Sequence, residues 1–183
     1  MDIDGVMYPF FENLRPHVAR ATGRRVADLQ DPPVWDLALA WTVEPQLMLE
    51  LLHDAVDNGT LMQDGAPYPG VVAGLTALRA AGHRIHVVTD RAGLGHVEGR
   101  AENRTTAWLA SWAIPYDTVT FTGDKTSVHT DVFIEDRPTN YRALSQAGVD
   151  TYLRVHPYNA QETAPASRRV HSFAAFTAGV LAA

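Results

Sequence analysis

The sequence predicts an α/β protein with a doubly wound parallel sheet, and two observations support this. From residue 71 to residue 181, helix-like and strand-like segments alternate along the chain. The strand-like segments are short and continuously apolar, as in Val87-Val88 and Phe133-Ile134, and do not alternate in polarity. Such runs are typical of strands that are covered on both faces of a parallel sheet. With 183 residues, of which 46% are hydrophobic, the chain can form the core that this fold needs.

The individual elements follow from apolar spacing and from glycine or proline at their ends. Pro69-Gly70 precedes a predicted helix from Val71 to about Ala81, which ends at Gly82. The remaining predicted elements are a strand at 84–88, a helix at 98–113, strands at 118–121 and 131–134, a helix at 138–147, a strand at 151–155 and a helix at 172–181. This regular alternation is what defines the α/β class.

Residues 12–66 interrupt the alternation. They contain helix-like stretches at 14–22 and 44–56, separated by Pro32-Pro33, and no clear strand. We therefore predict a core domain of residues 1–11 and 67–183, with a small helical cap, residues 12–66, inserted after the first strand. An insertion at the carboxyl end of a strand covers the place where open α/β sheets bind ligands, so we expect the cap to act as a lid.

Composition and charge exclude several classes of function. The formal net charge is -6 and no basic patch stands out, which argues against a nucleic-acid groove. The chain has no cysteine, so disulfides and thiol nucleophiles are excluded. Neither a signal-peptide pattern nor an apolar run of membrane-spanning length is visible. We expect a cytoplasmic protein that binds a small molecule and neither nucleic acid nor a membrane.

Four polar clusters fall at the carboxyl ends of predicted strands, and the first two contain carboxylates and a hydroxyl. In Asp2-Ile3-Asp4-Gly5, one carboxylate can serve as nucleophile and the other as general acid and base. The alternative is an ordinary polar turn, since Asp-Gly is common in turns. In Thr89-Asp90, the hydroxyl can bind a phosphate oxygen, or the pair can simply cap a helix.

The third and fourth clusters provide a lysine and an acidic pair. Lys125 in Gly123-Asp124-Lys125-Thr126 can neutralise phosphate charge or be a solvated surface lysine; the run is not a P-loop, because residue 120 is threonine. Glu135-Asp136 follows an apolar strand, where adjacent carboxylates are costly unless they bind a cation such as Mg²⁺. The alternative is an acidic pair at the start of a helix.

In their order and placement these clusters resemble the haloacid dehalogenase (HAD) superfamily of phosphatases, whose helical cap the insertion also resembles. A closer similarity is to the 5'(3')-deoxyribonucleotidase family. It is carried by the stretch from Asp124-Lys125-Thr126 to Arg137-Pro138, by Arg168 to Phe173, and by Phe10 and Trp35. The implied core is the Rossmann-like core of HAD proteins.

The resemblance implies a Mg²⁺-dependent hydrolysis of nucleoside monophosphates through an aspartyl-phosphate. Asp2 would attack the phosphorus, while Asp4 would protonate the leaving oxygen and then activate water. The Asp2 carboxylate, the Asp4 main-chain carbonyl and the Asp136 carboxylate would hold Mg²⁺, and Glu135 would orient water. A homodimer is implied by the resemblance alone.

The resemblance also implies which residues bind the substrate. The phosphate group would be bound by Thr89, Asp90 and Lys125. Phe10 and Trp35 would line the nucleoside pocket; the alternative for both is ordinary packing in the core or cap. Arg91, where the chain departs from the family, is expected to contact the substrate at its phosphate, or else to pair with Asp90.

The chain departs from the family's pattern at three places. Glu135 stands where the family has aspartate, and Asp90-Arg91 follows the threonine where the family has serine. Only Met1 precedes the first aspartate, where about four or five apolar strand residues are usual, so we expect either further residues upstream or a short central strand. Two other functions stay open: a HAD phosphatase of sugar phosphates or other small phosphomonoesters, and a non-catalytic HAD-like binding module.

Overall fold

Five parallel strands form the centre of the protein in a computed structural model that describes residues 1–183. Two of them pair as one sheet, β1 (His86–Thr89) with β2 (Thr118–Phe121). The other three form a second sheet in the order β3 (Val132–Glu135), β4 (Asp150–Arg154) and β5 (Arg169–Val170). With helices between the strands, this arrangement confirms the predicted α/β class.

Met1 and Asp2 lie between the two sheets and join them. The amino group of Met1 donates to the carbonyl of His86 at 2.8 Å, and the Met1 carbonyl accepts from the Val88 N–H at 2.9 Å. On the other side, the Asp2 N–H donates to the Ile134 carbonyl at 3.2 Å. From these residues the chain goes on to build β1 and β2 on one side, and then returns to build β3, β4 and β5 on the other. Asp2 therefore lies at a topological switch point, where open α/β sheets bind their ligands.

Seven helices surround the strands: α1 (Phe10–Thr22), α2 (Leu37–Trp41), α3 (Pro45–Asp57), α4 (Val71–Ala80), α5 (Arg100–Ser111), α6 (Pro138–Gln146) and α7 (Phe173–Leu181). Single 3₁₀ turns occur at residues 26–28, 125–127, 157–159 and 166–168. None of the helices has both the length and the hydropathy needed to cross a membrane.

The observed bounds differ from the predicted ones mainly at α1, α2 and β5. Helix α1 begins at Phe10, four residues before the predicted helix-like stretch and two before the predicted start of the cap. Neither α2 nor β5 was expected, because segments of five and two residues are too short to show a period. The start of α2 is nevertheless marked by Asp36, whose Oδ1 accepts the Leu39 N–H at 3.1 Å.

One continuous hydrophobic core runs through both parts of the chain. It contains Leu14 and Val18 of α1 and Met48 of α3, together with Val87 of β1 and Ile134 of β3. The cap helices are thus held on the sheet by shared apolar burial. The division into a cap of residues 12–66 and a core remains our proposal.

Candidate active site

The four clusters predicted from the sequence meet at one edge of the strands. Asp2 lies at the switch point, Thr89 ends β1, and Glu135 ends β3 and is followed by Asp136. Lys125 opens the 3₁₀ turn that follows β2. They converge because parallel strands bring their carboxyl ends to the same edge of a sheet.

Asp2 is held by a buried lysine. Lys125 Nζ donates to Asp2 Oδ1 at 2.9 Å and to the Val88 carbonyl at 2.6 Å, and the Ile3 N–H donates to the same Oδ1 at 2.8 Å. Burial works to lower the pKa of Lys125, but the charges of Asp2 and Glu135 outweigh it and the pKa is raised. The ammonium group therefore stays charged. Because these bonds go to Oδ1, Asp2 Oδ2 is left free of protein hydrogen bonds.

Three buried carboxylates gather beside this pair. Asp2, Glu135 and Asp136 each offer an oxygen, and these oxygens lie within 4.8 Å of one another. Burial, and then the charge of Asp2, raises the pKa of Asp136 to about 7, and the same two causes raise that of Glu135 well above its usual value. Asp136 Oδ1 is buried without a hydrogen-bond partner. Clustered carboxylate oxygens with an unused acceptor fit a hard divalent cation.

Glu135 is already engaged by hydrogen bonds. Its Oε1 accepts the main-chain N–H groups of Asp136 and Arg137, both at 3.0 Å, and its Oε2 accepts from Asn140 Nδ2 at 3.4 Å. These bonds hold the Glu135 carboxylate against the residues that follow it in the sequence. They are consistent with the supporting role expected for Glu135, in contrast to the unpartnered oxygen of Asp136.

Gly5 allows the first loop to approach the acidic group. Its φ of +67° lies in the left-handed region, and a Cβ added there would come within 2.0 Å of Asp136 Oδ2. Any other residue would be strained and would collide with the carboxylate. The glycine is therefore required by both the turn and the packing.

Arg91 contacts Asp4 and does not line the cavity. Its Nε donates to Asp4 Oδ2 at 2.8 Å and its second terminal nitrogen donates to Oδ1 at 2.6 Å, while the side chain is fully buried. The expectation that Arg91 contacts the substrate is corrected accordingly, because its guanidinium group is enclosed behind Asp4. Asp90 pairs with Arg137 instead, at 3.5 Å.

The side chains of Thr89 and Asp90 differ in their ability to bind a phosphate group. Thr89 Oγ1 is buried and has no hydrogen-bond partner, as expected of a hydroxyl that serves a ligand. The Asp90 side chain is exposed at the cavity wall. A carboxylate repels a phosphate, so the expectation that the Asp90 side chain binds phosphate is corrected.

A cavity of about 490 Å³ lies between this edge and the predicted cap. Phe10 and Trp35 both line it, and the Arg137 guanidinium carbon lies 5.2 Å from the centre of the Trp35 ring. Its floor contains the polar residues Asp2, Asp4, Asp90, Asp136, Arg137 and Asn140. The apolar part of its wall is formed by Phe10, Phe11, Trp35, Leu37, Ala38, Pro45, Met48, Leu49, Leu52 and Leu94.

Tyr158 is a site residue that the sequence reasoning missed. Its hydroxyl donates to Asp136 Oδ2, and its ring packs edge-on against Phe11 and Trp35, with 5.3 Å between centroids in each pair. Burial raises the pKa of Tyr158 well above its usual value, so the hydroxyl stays a donor. The residue thus links a candidate metal ligand to the aromatic wall of the cavity.

His156 supports the same region from the loop after β4. Its Nε2 lies 2.7 Å from the Gly5 carbonyl, and its ring stacks on Tyr158 at 5.2 Å. Burial lowers the pKa of His156 to about 4, so the neutral imidazole donates through Nε2–H. His156 and Tyr158 both follow the predicted strand at 151–155. Because the other polar clusters of the site also follow strands, this position could have identified the two residues from the sequence.

The chain matches one family model over nearly its whole length. This model describes the 5' nucleotidase, deoxy (pyrimidine), cytosolic type C family and matches residues 1–182. A relative from Chlorobaculum tepidum is 30% identical over 152 residues, which cover 82% of this chain and 75% of that protein. It carries the provisional name 5'(3')-deoxyribonucleotidase.

A solved structure from Thermotoga maritima, provisionally assigned as a beta-phosphoglucomutase, is 18% identical, covers 85% of this chain and 83% of its own, and has a TM-score of 0.49. The sequence comparisons carry the assignment, and they confirm the resemblance predicted from the four clusters. The chain is a phosphatase of the nucleotidase type, and it belongs to the 5' nucleotidase family of the deoxy (pyrimidine), cytosolic type C.

Proposed function

We propose that this chain hydrolyses nucleoside monophosphates in a Mg²⁺-dependent reaction, through an aspartyl-phosphate formed on Asp2. The observation that carries the proposal is that Asp2 and Asp136 line the floor of a cavity with aromatic walls. Lys125 binds Asp2 there, and Glu135 completes the group of three buried carboxylates. The floor supplies the groups for phosphoryl transfer, and the walls supply surface for a nucleoside.

Asp2 is proposed as the nucleophile, and the main obstacle to its attack is the charge repulsion between its carboxylate and the phosphate group of the substrate. Two unit charges 4 Å apart at an effective dielectric of 20 repel by about 4 kcal/mol, and a phosphate dianion doubles the charge. Lys125 offsets part of this: two of its three N–H groups bind Asp2 and Val88, which leaves one for a phosphate oxygen. A bound Mg²⁺, held by Asp2, the Asp4 carbonyl and Asp136, would neutralise further phosphate charge.

Thr89 and Asp4 complete the proposed reaction. The unpartnered Thr89 hydroxyl can donate to a phosphate oxygen. Asp4 enters this step with its carboxyl group protonated. As the bond from Asp2 to phosphorus forms and the bond to the nucleoside oxygen breaks, Asp4 gives its proton to that oxygen and becomes a carboxylate. Asp4 then takes a proton from the water that attacks the aspartyl-phosphate, which releases inorganic phosphate and restores Asp2.

The shape and chemistry of the cavity favour a nucleotide over a sugar phosphate. Its volume of about 490 Å³ falls within the usual range for small-molecule sites. Phe10, Trp35 and the leucines of α3 present flat or apolar surface, on which a base can stack. A sugar phosphate would bring hydroxyl groups to this wall, where they would find few partners.

Phosphate release from a panel of substrates tests the proposal. The panel contains deoxy- and ribonucleoside 5'- and 3'-monophosphates and several sugar phosphates, each with Mg²⁺ and with a chelator. We expect Mg²⁺-dependent release from nucleotides, abolished by Asp2→Asn and retained by Asp150→Asn, which removes a carboxylate at the opposite ends of the strands.

Two outcomes would contradict the proposal. If the enzyme preferred sugar phosphates over every nucleotide, its substrates would be sugar phosphates and not nucleoside monophosphates. No release from any substrate, together with no heat on titration of Mg²⁺ or phosphate, would favour the non-catalytic binding module. A homodimer is a separate proposal, which rests on the resemblance alone and is tested by sedimentation equilibrium.

A further inference from the structure

We infer that Arg91 is a positioning residue that fixes the orientation of the Asp4 carboxylate for proton transfer. This inference rests on the proposed function, in which Asp4 passes a proton to the leaving oxygen. It gives Arg91 a role in the reaction without contact with the substrate.

The contact between Arg91 and Asp4 is bidentate. One N–H of the guanidinium group faces each carboxylate oxygen, at 2.8 Å to Oδ2 and 2.6 Å to Oδ1. Two parallel bonds of this kind fix the plane of the carboxylate as well as its distance. Each oxygen keeps a further acceptor position, so the Asp4 carboxyl group can still exchange a proton at the cavity.

Arg91 is itself held from two other directions. Its remaining terminal nitrogen donates to Thr105 Oγ1 on α5 at 3.0 Å, and its guanidinium carbon lies 4.9 Å from the centre of the Tyr8 ring. Tyr8 is fixed in turn, since its hydroxyl donates to the Asp64 carbonyl at 2.9 Å and accepts the Met62 N–H at 3.0 Å. The guanidinium group therefore has a single enclosed position.

The hydrogen bonds of Arg91 separate this role from phosphate binding. All three guanidinium nitrogens already donate to Asp4 or Thr105, whereas the equally buried Thr89 Oγ1 has no partner. The side chain is fully buried and is absent from the cavity wall, whereas 22% of the Asp4 side chain remains accessible. Arg91 can therefore affect the substrate only through Asp4. Misplacing a reacting group by about 1 Å can reduce a rate by about 10²-fold, which sets the size of the effect.

The test compares two leaving groups in the full-length protein with Mg²⁺. A nucleoside monophosphate leaves as an alkoxide and needs a proton, whereas the nitrophenolate of p-nitrophenyl phosphate leaves without one. The value of kcat/KM reports the steps up to departure of the leaving group, so it isolates this difference. We expect Arg91→Met to lower kcat/KM about 10²-fold for the nucleotide and less than about tenfold for p-nitrophenyl phosphate.

Two further comparisons show whether the effect passes through Asp4. In an Asp4→Asn background, Arg91→Met should cause no further loss with the nucleotide, because residues that act as one unit are not additive. Arg168→Met is the matched control: Arg168 also makes a bidentate pair, with Asp150, and lies 4.7 Å over the ring of Tyr152. Neither Arg168 nor Asp150 lines the cavity, so we expect wild-type kinetics from this variant.

Each result decides the inference. Equal losses for the two substrates, a full Arg91→Met loss in the Asp4→Asn background, or a rise in KM alone would overturn it. If Arg91→Met does not fold, the two substrates are compared in Arg91→Lys, which keeps the positive charge but cannot make two parallel hydrogen bonds to Asp4. A wild-type protein without phosphatase activity would overturn the proposed function and this inference together, whereas an active wild type with an unselective Arg91 variant overturns the inference alone.

Discussion

Replacing Gly5 by alanine should damage the site far more than the same change at another left-handed glycine. Gly5 and Gly23 share a φ of +67°. An added Cβ at Gly23 would meet nothing within 4 Å, whereas at Gly5 it would lie 2.0 Å from Asp136 Oδ2. The two variants therefore share the backbone strain and differ in the collision.

The magnitude follows from these contacts. A left-handed backbone costs a residue with a Cβ about 1–2 kcal/mol, which is the whole expected cost at Gly23. At Gly5 the Asp136 oxygen must also retreat from 2.0 Å to 3.0 Å or more. This movement breaks its hydrogen bond from Tyr158, and a bond to a charged group contributes about 1.5–3 kcal/mol. We expect a total loss of about 2.5–5 kcal/mol for Gly5→Ala.

Thermal unfolding with a chelator present measures both changes. At this chain length 1 kcal/mol corresponds to about 2–4 °C, so Gly23→Ala should lower Tm by about 2–8 °C and Gly5→Ala by about 5–20 °C. Gly23→Ala should also keep wild-type phosphatase activity below its Tm, while Gly5→Ala should lose it. Equal Tm shifts combined with retained activity in Gly5→Ala would refute the reasoning.

Three further predictions concern the charges at the site. Lys125→Met should lower kcat by about 10²–10³-fold because it removes the cation that faces the phosphate, and an unchanged kcat would contradict this role. Tyr158→Phe should weaken Mg²⁺ binding about 10- to 100-fold in a calorimetric titration, since it frees the Asp136 carboxylate; unaltered affinity would argue against the link. Burial, and then Asp2, raises the pKa of Asp136 to about 7, so the folded metal-free protein binds a proton that the unfolded chain has released. Its free energy of unfolding should therefore fall as pH rises from about 4 to about 7, and the difference between urea midpoints at pH 5 and 8 should be smaller in Asp136→Asn than in wild type. The raised pKa of Glu135 keeps part of the difference in the variant.

Much of the fold could be predicted because local patterns determine it. Strands β1, β3 and β4 each contain two consecutive buried apolar residues, and glycine or proline lies at the ends of helices such as α4 and α6. The grouping of Asp2, Thr89, Lys125 and Asp136 at one edge also follows, since the carboxyl ends of parallel strands share an edge. Their chemical roles stay predictions, which the proposed experiments test.

The contacts of side chains in loops could not be predicted in the same way. Arg91 was expected to face the substrate, but it pairs with Asp4, 87 residues away in the sequence. No local pattern sets the direction of a side chain just beyond a strand. Tyr158 was missed because a tyrosine after a strand is an ordinary core residue until its hydroxyl is seen on Asp136.

The bridge of Met1 and Asp2 between the two sheets also bears on the order of folding. The partner of Met1 on β1 is 85 residues distant, and Lys125 is 123 residues from Asp2. Contacts that close such long loops lose more chain entropy than those within a helix or between neighbouring elements. We expect the helices and the two separate sheets to form first and the bridge to form last. Catalytic competence would then arise only in the final step, so a partly folded chain could hold the cavity wall without being able to hydrolyse a phosphate ester.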